Sequence, residues 1–477
     1  MLDVIVIGAG IVGCAVAREL SKRKLDILVL EKGFDVASGA TKANSGIVHA
    51  GYDALPGTKK AVMNVRGQRM FDKLSKELGF PFSRCGSLVL GFGENDRREL
   101  EELNRRGRIN GLSDIAILGR EEILALEPGV GDSVTDALLA PSGGVVSPYE
   151  MCIALADNAA LNGVKFALAT VVTGISQDGD GYRVQTNNGE YLAKVVVNAA
   201  GVHSGEISEM AGGEKNAIQP RRGEYCLLDQ EEGGLVSRVL FQVPGKMGKG
   251  VLVAPTADGN VLIGPTSKDI DDGDDTSTTR EGLAEALEKA SRSLKRLPRN
   301  KIITSFAGVR AHHKSDDFVI EESGKGFVNL MGIESPGLSA APAIGEAAAE
   351  IVCGILQPEE NSEFCPNLEP FPKFRESSWE ERQRLIEKDP DFGNVICRCE
   401  KVTKAEILNA LRNPIGAVSL DAVKRRTRTG MGRCQSGFCM MKLVGIVSEE
   451  LGKSPLEATK HGGGSWILSG PIKEALL

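Results

Sequence analysis

The chain of 477 residues is long enough for about three domains of typical size. Hydrophobic residues make up 42% and charged residues 25%, so it can bury a sizeable core without disulfides or a structural metal. The formal net charge of −7 argues against nucleic acid as a main partner. An apolar strand begins almost at Met1, and no run of about 18 apolar residues follows. We therefore expect no leader peptide, no membrane-spanning segment and a cytoplasmic protein, with peripheral association to a membrane complex still open.

The N-terminal segment predicts a dinucleotide site. Its elements are, in chain order, a strand at 3–7, the turn Gly8-Ala9-Gly10-Ile11-Val12-Gly13, a helix at 14–24 and a strand at 26–30. Gly8 permits the tight turn, Gly10 lets the backbone approach a pyrophosphate, and Gly13 lets the helix pack on the strand. The helix N-terminus attracts phosphate through unpaired N–H groups and its dipole. Glu31 ends the second strand, where its carboxylate can bind ribose hydroxyls.

Two further glycine-rich stretches favour FAD over NAD as the dinucleotide. The stretch at 37–46 is not needed for NAD, but it suits a loop that lies along the FAD pyrophosphate and the flavin. The stretch at 332–338 opens another helix, predicted at 340–356. Such an opening can direct N–H groups at the flavin and stabilise charge on its reduced ring.

The order of the predicted elements indicates an α/β fold, with a Rossmann-like FAD-binding domain interleaved with an α+β substrate domain and followed by a small cysteine-rich α module. The expected boundaries are an FAD-binding domain at 1–78, 142–215 and 315–358, a substrate-binding domain at 79–141 and 216–314, a linker at 359–392, a cysteine module at 393–450 and a tail at 451–477. The tail is either disordered or docked on the flavin domain or on a partner.

Five stretches form a wider pattern: Val6-Ile7-Gly8-Ala9-Gly10-Ile11-Val12-Gly13, Asn44-Ser45-Gly46-Ile47-Val48-His49-Ala50-Gly51, Val197-Asn198-Ala199-Ala200-Gly201, Ala307-Gly308-Val309-Arg310 and Ser335-Pro336-Gly337-Leu338. Over about residues 1–355 the chain resembles the D-amino-acid-oxidase-type, or glycerol-3-phosphate-dehydrogenase-type, FAD oxidoreductases. The resemblance implies FAD contacts at Gly8, Gly10, Gly13, Glu31, Thr41, Asn44, Ser45, Gly46, Val172, Ala200, Gly201, Gly308, Gly337 and Leu338.

Arg310 and His49 are the candidate catalytic residues. In the family that the chain resembles, the arginine of the Gly-Val-Arg motif binds the anionic group of the substrate, which a guanidinium can do through two parallel hydrogen bonds. His49 has three interpretations: it shapes the site, it takes the hydroxyl proton as a general base, or it is linked covalently to FAD. His312 and His313 are rival bases. A second group, which either lines the pocket or belongs to ordinary strands, comprises Arg222, Glu224 and Tyr225.

A cysteine motif near the C-terminus predicts a metal centre. It has the form Cys397-x-Cys399, then 34 residues, then Cys434-x4-Cys439. Four thiolates from two tight turns can hold a tetrahedral zinc or a [2Fe–2S] cluster. Five arginines in the module are expected to favour thiolates: Arg398, Arg425, Arg426, Arg428 and Arg433. The segment resembles the bacterioferritin-associated-ferredoxin-like domain, which places [2Fe–2S] ahead of zinc.

A flavin domain joined to such a module is also found in the catalytic subunit of anaerobic glycerol-3-phosphate dehydrogenases. This resemblance implies oxidation of sn-glycerol 3-phosphate to dihydroxyacetone phosphate by hydride transfer to flavin N5. Electrons would then pass through the cluster to a second redox subunit or a quinone-linked partner. The stretches Tyr52-Asp53 and Ser335-Pro336-Gly337 look more like L-2-hydroxyglutarate oxidases, so an L-2-hydroxy acid is the second substrate prediction. A non-catalytic electron-relay subunit is the alternative from another class.

Overall fold

A computed structural model describes residues 1–215, 217–244 and 250–471. Its strands are β1 Leu2–Ile7, β2 Ile27–Leu30, β3 Ile47–Val48, β4 Phe82–Ser83, β5 Ser87–Gly91, β6 Ala116–Gly119, β7 Asp136–Ala140, β8 Gly144–Val146, β9 Lys165–Ala167, β10 Val172–Asp178, β11 Gly181–Thr186, β12 Gly189–Asn198, β13 Ile218–Leu228, β14 Val239–Gln242, β15 Leu252–Pro255, β16 Val261–Gly264, β17 Lys268–Asp269, β18 Ile302–His313, β19 Val319–Gly324, β20 Phe327–Met331, β21 Val395–Cys397 and β22 Val402–Thr403. Its helices are α1 Ile11–Leu20, α2 Lys59–Gln68, α3 Phe71–Leu78, α4 Glu94–Ile109, α5 Arg120–Leu126, α6 Pro148–Leu161, α7 Ser204–Met210, α8 Arg280–Ser291, α9 Gly337–Leu356, α10 Trp379–Lys388, α11 Lys404–Arg412, α12 Leu420–Thr427 and α13 Met440–Glu450.

The first sheet has a parallel core in which β9, β2, β1, β12 and β20 lie side by side. Val4, Ile5 and Val6 of β1 are fully buried, because helices and neighbouring strands cover both faces of the sheet. The antiparallel pair β10–β11 extends the sheet beside the first half of β12, and β19 pairs with β20. Helix α1 begins at Ile11, earlier than the sequence predicts, so its free N–H groups directly follow the glycine turn.

Helix α9 covers α1 as the main core helix of this part. Its Gly345 lies so close to α1 that a Cβ there would come within 2.9 Å of the backbone of Ala15. Among the residues that the structure describes, α9 is the one helix that length and composition would allow to cross a membrane, and 56% of that apolar window is buried inside the protein. Its packing against α1 is that of a core helix.

The second sheet combines two separate stretches of the chain. Strands β5, β6 and β7 come from residues 87–140, and β13 to β18 come from residues 218–313. The longest pair is β13–β18, which runs antiparallel from Ile218 opposite His313 to Leu228 opposite Ile302. This pairing places Arg310 on β18 beside Arg221 on β13. The two stretches match the interleaving that the sequence indicates, and we keep the predicted domain boundaries as a proposal.

The C-terminal module has a core of its own. Helices α11, α12 and α13 bury Ile407, Val423 and Val444 against one another, beside the short pair β21–β22. The tail folds back rather than extending into solvent. The backbone N–H of Asp421 donates to the carbonyl oxygen of Lys460. Gly462 lies so close to Phe34 of the flavin part that an added Cβ would clash with its ring. The tail therefore packs on the module, where Ile467 and Leu468 contact its core, and approaches the flavin part at Gly462.

Buried ion pairs hold the module on the rest of the protein. Arg428 contacts Asp258 of the substrate part at 2.7 Å and Glu400 of the module at 2.8 Å, and Arg375 of the linker contacts the same two carboxylates. These carboxylates are 5% and 1% exposed, so the network excludes water. Arg428 therefore forms ion pairs with Asp258 and Glu400 and so holds the module on the substrate part.

The same holds for three more of the five arginines. Arg425 and Arg426 both bind Asp35, which follows β2, and Arg433 binds Asp229 and Glu231 of the substrate part. The sequence does not indicate that these arginines form ion pairs with the other parts of the chain, because their acidic partners lie about 200 to 390 residues away.

We expect Arg428→Met to weaken docking of the module by about 3 kcal/mol, because the buried carboxylates of Asp258 and Glu400 each lose an ion-pair partner. Limited proteolysis in the linker at 359–392 measures the effect, and cleavage should be about 100-fold faster if opening precedes it. Arg412→Met is the control because its pair with Glu450 is largely exposed, and it should have little effect. Equal cleavage rates in the two variants would contradict this role.

Candidate functional site

A cavity of about 1260 Å³ lies where the two sheets and the C-terminal module meet. It exceeds the ~300–1,000 Å³ of ordinary small-ligand pockets, which suits an extended dinucleotide together with a substrate. The module contributes one wall through Asp421, Lys424, Arg425, Arg428, Met431 and Gln435, and the tail adds His461. The site is therefore built from all three parts of the chain.

The glycine turn has the shape that a pyrophosphate requires. A Cβ at Gly8, whose φ is +104°, would lie 2.6 Å from the carbonyl oxygen of Ala199, and one at Gly13 would lie 1.9 Å from the carbonyl oxygen of Gly8. At Gly10 the nearest atom to an added Cβ is Oγ1 of Thr41 at 3.3 Å, and that oxygen accepts the N–H of Ile11 at 3.0 Å. The turn can therefore adopt this form only with glycine at the first and third positions.

Gly13→Ala is expected to weaken FAD binding by at least about tenfold, because the methyl group forces α1 away from the turn. Titration of deflavinated protein with FAD measures the change. Gly354→Ala is the matched control: it also lies in a helix, α9, but an added Cβ meets no atom within 4 Å. Unchanged affinity in Gly13→Ala would show that the turn does not contact the cofactor.

Glu31 is buried at the end of β2 and is 8% exposed. Its carboxylate oxygens accept the N–H groups of Ala9 and Gly33, each at 2.7 Å, and burial raises the pKa of the group. Each oxygen retains further acceptor capacity toward the cavity. Glu31 can thus fix the glycine turn and bind a ribose hydroxyl at once.

The loop at 37–46 forms the floor of the cavity. Asn44 shapes it by accepting the N–H of Gly46 at 2.8 Å and donating to the carbonyl oxygen of Thr41 at 2.9 Å. Strand β18 crosses the loop so closely that a Cβ at Gly308 would lie 2.0 Å from the carbonyl oxygen of Ala43. Gly308 is therefore a point of contact between two backbones, in addition to lining the cavity.

Nearly all the predicted FAD contacts line this one cavity. The residues found there are Gly8, Gly10, Glu31, Thr41, Asn44, Ser45, Gly46, Val172, Ala200, Gly201, Gly308, Gly337 and Leu338. Gly13 does not line it and acts through the packing described above. Helix α9 begins at Gly337, so its N-terminus lies at the cavity. The assignment of single residues to FAD remains a proposal.

Arg310 on β18 lines the cavity. Its Nη2 donates to the carbonyl oxygen of Thr266 at 2.8 Å, which holds the guanidinium in place. Within the described part of the chain, Nη1 makes no hydrogen bond and Nε is buried without a partner. The guanidinium thus offers a free cationic donor to an anion in the cavity.

His49 also lines the cavity. Its Nε2 is 3.3 Å from the hydroxyl oxygen of Ser335, and its ring stacks on Phe241 with 5.5 Å between the centroids. Its backbone N–H donates to the hydroxyl of Ser339 at 2.7 Å. These contacts hold the imidazole in one orientation. No local pattern in the sequence indicates that Ser335 and Phe241 contact His49, although the Ser335-Pro336 turn is part of the motif that implies FAD.

The rival bases lie outside this cavity lining. His312 Nδ1 is 2.8 Å from the carboxylate of Glu334, and His313 Nδ1 is 2.7 Å from the hydroxyl of Ser315. Of the second group, Tyr225 lines the cavity, but Arg222 and Glu224 do not. Arg222 binds Asp275 and Ser277, and Glu224 accepts the N–H of Thr279, which caps α8. Both are structural at this position.

The four cysteines of the motif come together as two thiol pairs. Cys397 lies within hydrogen-bonding reach of Cys439, and Cys399 of Cys434. Gly432 is required for this approach, because a Cβ there would lie 2.3 Å from Cβ of Cys399. The donor set, four thiols from two turns, fits an iron–sulfur cluster.

Backbone groups prepare Cys397 as a ligand. The hydrogen bond from Cys439 and the N–H groups of Gly430 and Glu400 lower the pKa of its thiol to about 6. The pKa of Cys439 is raised in turn, because it donates within the pair and is partly buried. Cys399 is exposed, so one edge of the motif reaches the protein surface.

The cysteine motif lies directly behind the cavity wall. Gln435, the neighbour of Cys434, and Met431 both line the cavity. The hydroxyl of Tyr149 on α6 lies 3.5 Å from the sulfur of Met431 and 3.2 Å from Nη1 of Arg428. The segment that carries Cys434 therefore also contributes to the cavity wall.

Comparison with known proteins identifies the class. The family model of FAD dependent oxidoreductases matches residues 3–351, and that of the BFD-like [2Fe-2S] binding domain matches residues 395–449. The chain therefore belongs to the FAD dependent oxidoreductase family. It is an enzyme that binds FAD and carries a C-terminal [2Fe–2S]-binding domain, which confirms the predicted fold class and cofactors and leaves zinc without support.

Particular relatives are similar over long stretches. A glycerol 3-phosphate dehydrogenase of Caloramator mitchellensis is 48% identical over 99% of this chain and 99% of its own. A glycerol 3-phosphate oxidase of Mycoplasma pneumoniae is 36% identical over 73% of this chain and 94% of its own. Among solved structures, dithionite-reduced L-alpha-glycerophosphate oxidase from Mycoplasma pneumoniae with FAD bound has a TM-score of 0.74 and 33% identity, covering 78% of this chain and 99% of that chain.

Proposed function

We propose that this chain oxidises sn-glycerol 3-phosphate to dihydroxyacetone phosphate and passes the electrons through its [2Fe–2S] domain to a partner. The observation that carries the proposal is the 48% identity to a glycerol 3-phosphate dehydrogenase over 99% of both chains. That similarity spans the flavin part, the substrate part and the cysteine module together. The relatives named oxidases match only 73% and 74% of this chain, which agrees with a module that belongs to a dehydrogenase.

The residues at the substrate end have the chemistry that this reaction needs. Arg310 would bind the phosphate, which fixes the orientation of the carbon to be oxidised. His49 would take the hydroxyl proton on Nε2, and the hydroxyl of Ser335 and the ring of Phe241 keep that nitrogen in place. FAD, when bound, supplies the acceptor for the hydride. Phe241, Tyr225 and Leu252 line the same cavity and would limit the access of water.

Anaerobic mixing with substrate tests the proposal. Glycerol 3-phosphate should bleach the visible absorbance of the bound flavin, and glycerol, which lacks the phosphate, should do so far less. A chain that is bleached only by a reduced partner protein, and by no hydroxy compound, would instead be a non-catalytic relay.

An L-2-hydroxy acid is the second candidate substrate. The L-2-hydroxyglutarate dehydrogenase of Arabidopsis thaliana is 27% identical over 73% of this chain, and the Ser335-Pro336-Gly337 turn lies at the cavity beside His49. Arg310 can bind a carboxylate as well as a phosphate. Faster bleaching by L-2-hydroxyglutarate than by glycerol 3-phosphate would favour this alternative.

The acceptor is proposed to be a separate redox protein or a quinone-linked subunit. The cysteine motif reaches the surface at Cys399, and Phe438, next to Cys439, is 86% exposed. Exposed Arg398 and Lys442 lie close to the motif in sequence. An apolar centre with basic neighbours suits a transient contact with an acidic electron carrier.

A further inference from the structure

The C-terminal module places cationic side chains in the cavity beside the glycine turn. Lys424 and Arg425 on α12 line the cavity, as does Lys42 of the loop at 37–46. Lys42 directly follows Thr41, whose hydroxyl accepts the N–H of Ile11 at the start of α1. The cations therefore gather at the part of the cavity where a pyrophosphate would lie.

An ion pair fixes α12 in this position. Nη2 of Arg425 donates to Oδ2 of Asp35 at 2.6 Å. Two residues further on, the N–H of Ala37 donates to the carbonyl oxygen of Ala9 at 3.0 Å, and Ala9 is part of the glycine turn. A chain of short contacts thus connects the module to the phosphate-binding turn.

Lys42 and Lys424 form no ion pair with any residue that the structure describes. In residues 1–215, 217–244 and 250–471, neither Nζ makes a hydrogen bond or a salt bridge. The nearby carboxylate of Asp421 is already bound by Lys460 at 3.0 Å. Desolvation lowers the pKa of both lysines, although Lys42 is accessible from the cavity. Two unpaired ammonium groups that line one cavity attract an anion between or beside them.

We propose that Lys424, from the [2Fe–2S] module, and Lys42, from the flavin part, bind the diphosphate of FAD, so that the docked module completes the FAD site. Arg425 is a positioning residue that acts through Asp35. The inference depends on FAD binding and not on the identity of the substrate.

Titration of the deflavinated full-length chain tests the proposal with three probes: FAD, ADP and adenosine. Lys424→Met should raise the Kd of FAD and of ADP by about tenfold, the effect of losing one charged hydrogen bond, and should leave the Kd of adenosine unchanged. Lys424→Arg should restore most of the affinity, and Lys42→Met should act in the same direction as Lys424→Met. Lys453→Met is the control, because Lys453 is exposed just after α13 and does not line the cavity.

Two outcomes would overturn the proposal. Unchanged FAD and ADP affinities in Lys424→Met would show that the side chain does not contact phosphate. An equal loss for adenosine would show that the substitution only disturbs the fold of the site. Both results are read without substrate, so they are distinguishable from a failure of the proposed glycerol 3-phosphate oxidation.

Discussion

Arg310→Ala is expected to raise KM for glycerol 3-phosphate by about 100-fold while FAD stays bound, since a charge-assisted anion contact contributes about 2–3 kcal/mol. The guanidinium is held by Thr266 and leaves Nη1 for the substrate, so the loss falls on substrate binding. Steady-state kinetics with an artificial acceptor measures KM, and the flavin absorbance of the purified variant reports cofactor retention.

Arg221→Ala is the matched control for this substitution. Arg221 lies opposite Arg310 in the register of β13 and β18, but its side chain binds Asp269 and does not line the cavity. Its KM should remain within about threefold of the parent, as for an exposed ion pair. Arg310→Lys should recover part of the affinity because the charge is kept without the forked geometry. An unchanged KM in Arg310→Ala would remove Arg310 from the substrate site.

Cys434→Ser is expected to reduce electron transfer to the natural acceptor at least about 100-fold, because the cluster loses a ligand. Reduction of the flavin by substrate should be spared, since none of the four cysteines lines the cavity that contains Arg310 and His49. Stopped-flow absorbance under anaerobic conditions separates the two steps.

Cys365→Ser controls for the loss of a thiol as such, because Cys365 is an exposed free cysteine in the linker. It should alter neither step. If Cys434→Ser also abolished flavin reduction by substrate, electrons would not follow the order from flavin to cluster that we propose.

The predictions of the fold class and of the two cofactors, which the comparisons confirm, depend on local motifs. The glycine turn requires particular backbone angles at Gly8 and a close approach at Gly13, and both requirements are visible in a stretch of six residues. The cysteine motif is also local, because the spacing within each of its two cysteine pairs indicates a tight turn. A strand followed directly by such a turn and a helix leaves few other structures for the chain to adopt, so the fold class followed from the sequence.

The misses arose where contacts join distant parts of the chain. Arg428 was expected to support thiolates, yet its partner Asp258 lies 170 residues earlier in the substrate part. Arg222 and Glu224 sit on the same strand as Tyr225, but only Tyr225 faces the cavity, and a one-residue shift along a strand reverses the face. The position of the module over the cavity depends on Asp35 and Asp258, which no local pattern reveals.

We propose that oxidation of the substrate in the cavity and reduction of the [2Fe–2S] cluster occur within one chain. The most direct test adds glycerol 3-phosphate to the anaerobic, cofactor-loaded protein and freezes samples for electron paramagnetic resonance. We predict that the flavin absorbance falls and that the signal of a reduced [2Fe–2S] cluster appears with it. Dithionite should reduce both the flavin and the cluster of the same sample, which shows that both are competent. If the flavin of such a sample stayed oxidised with glycerol 3-phosphate, the proposed oxidation would be contradicted.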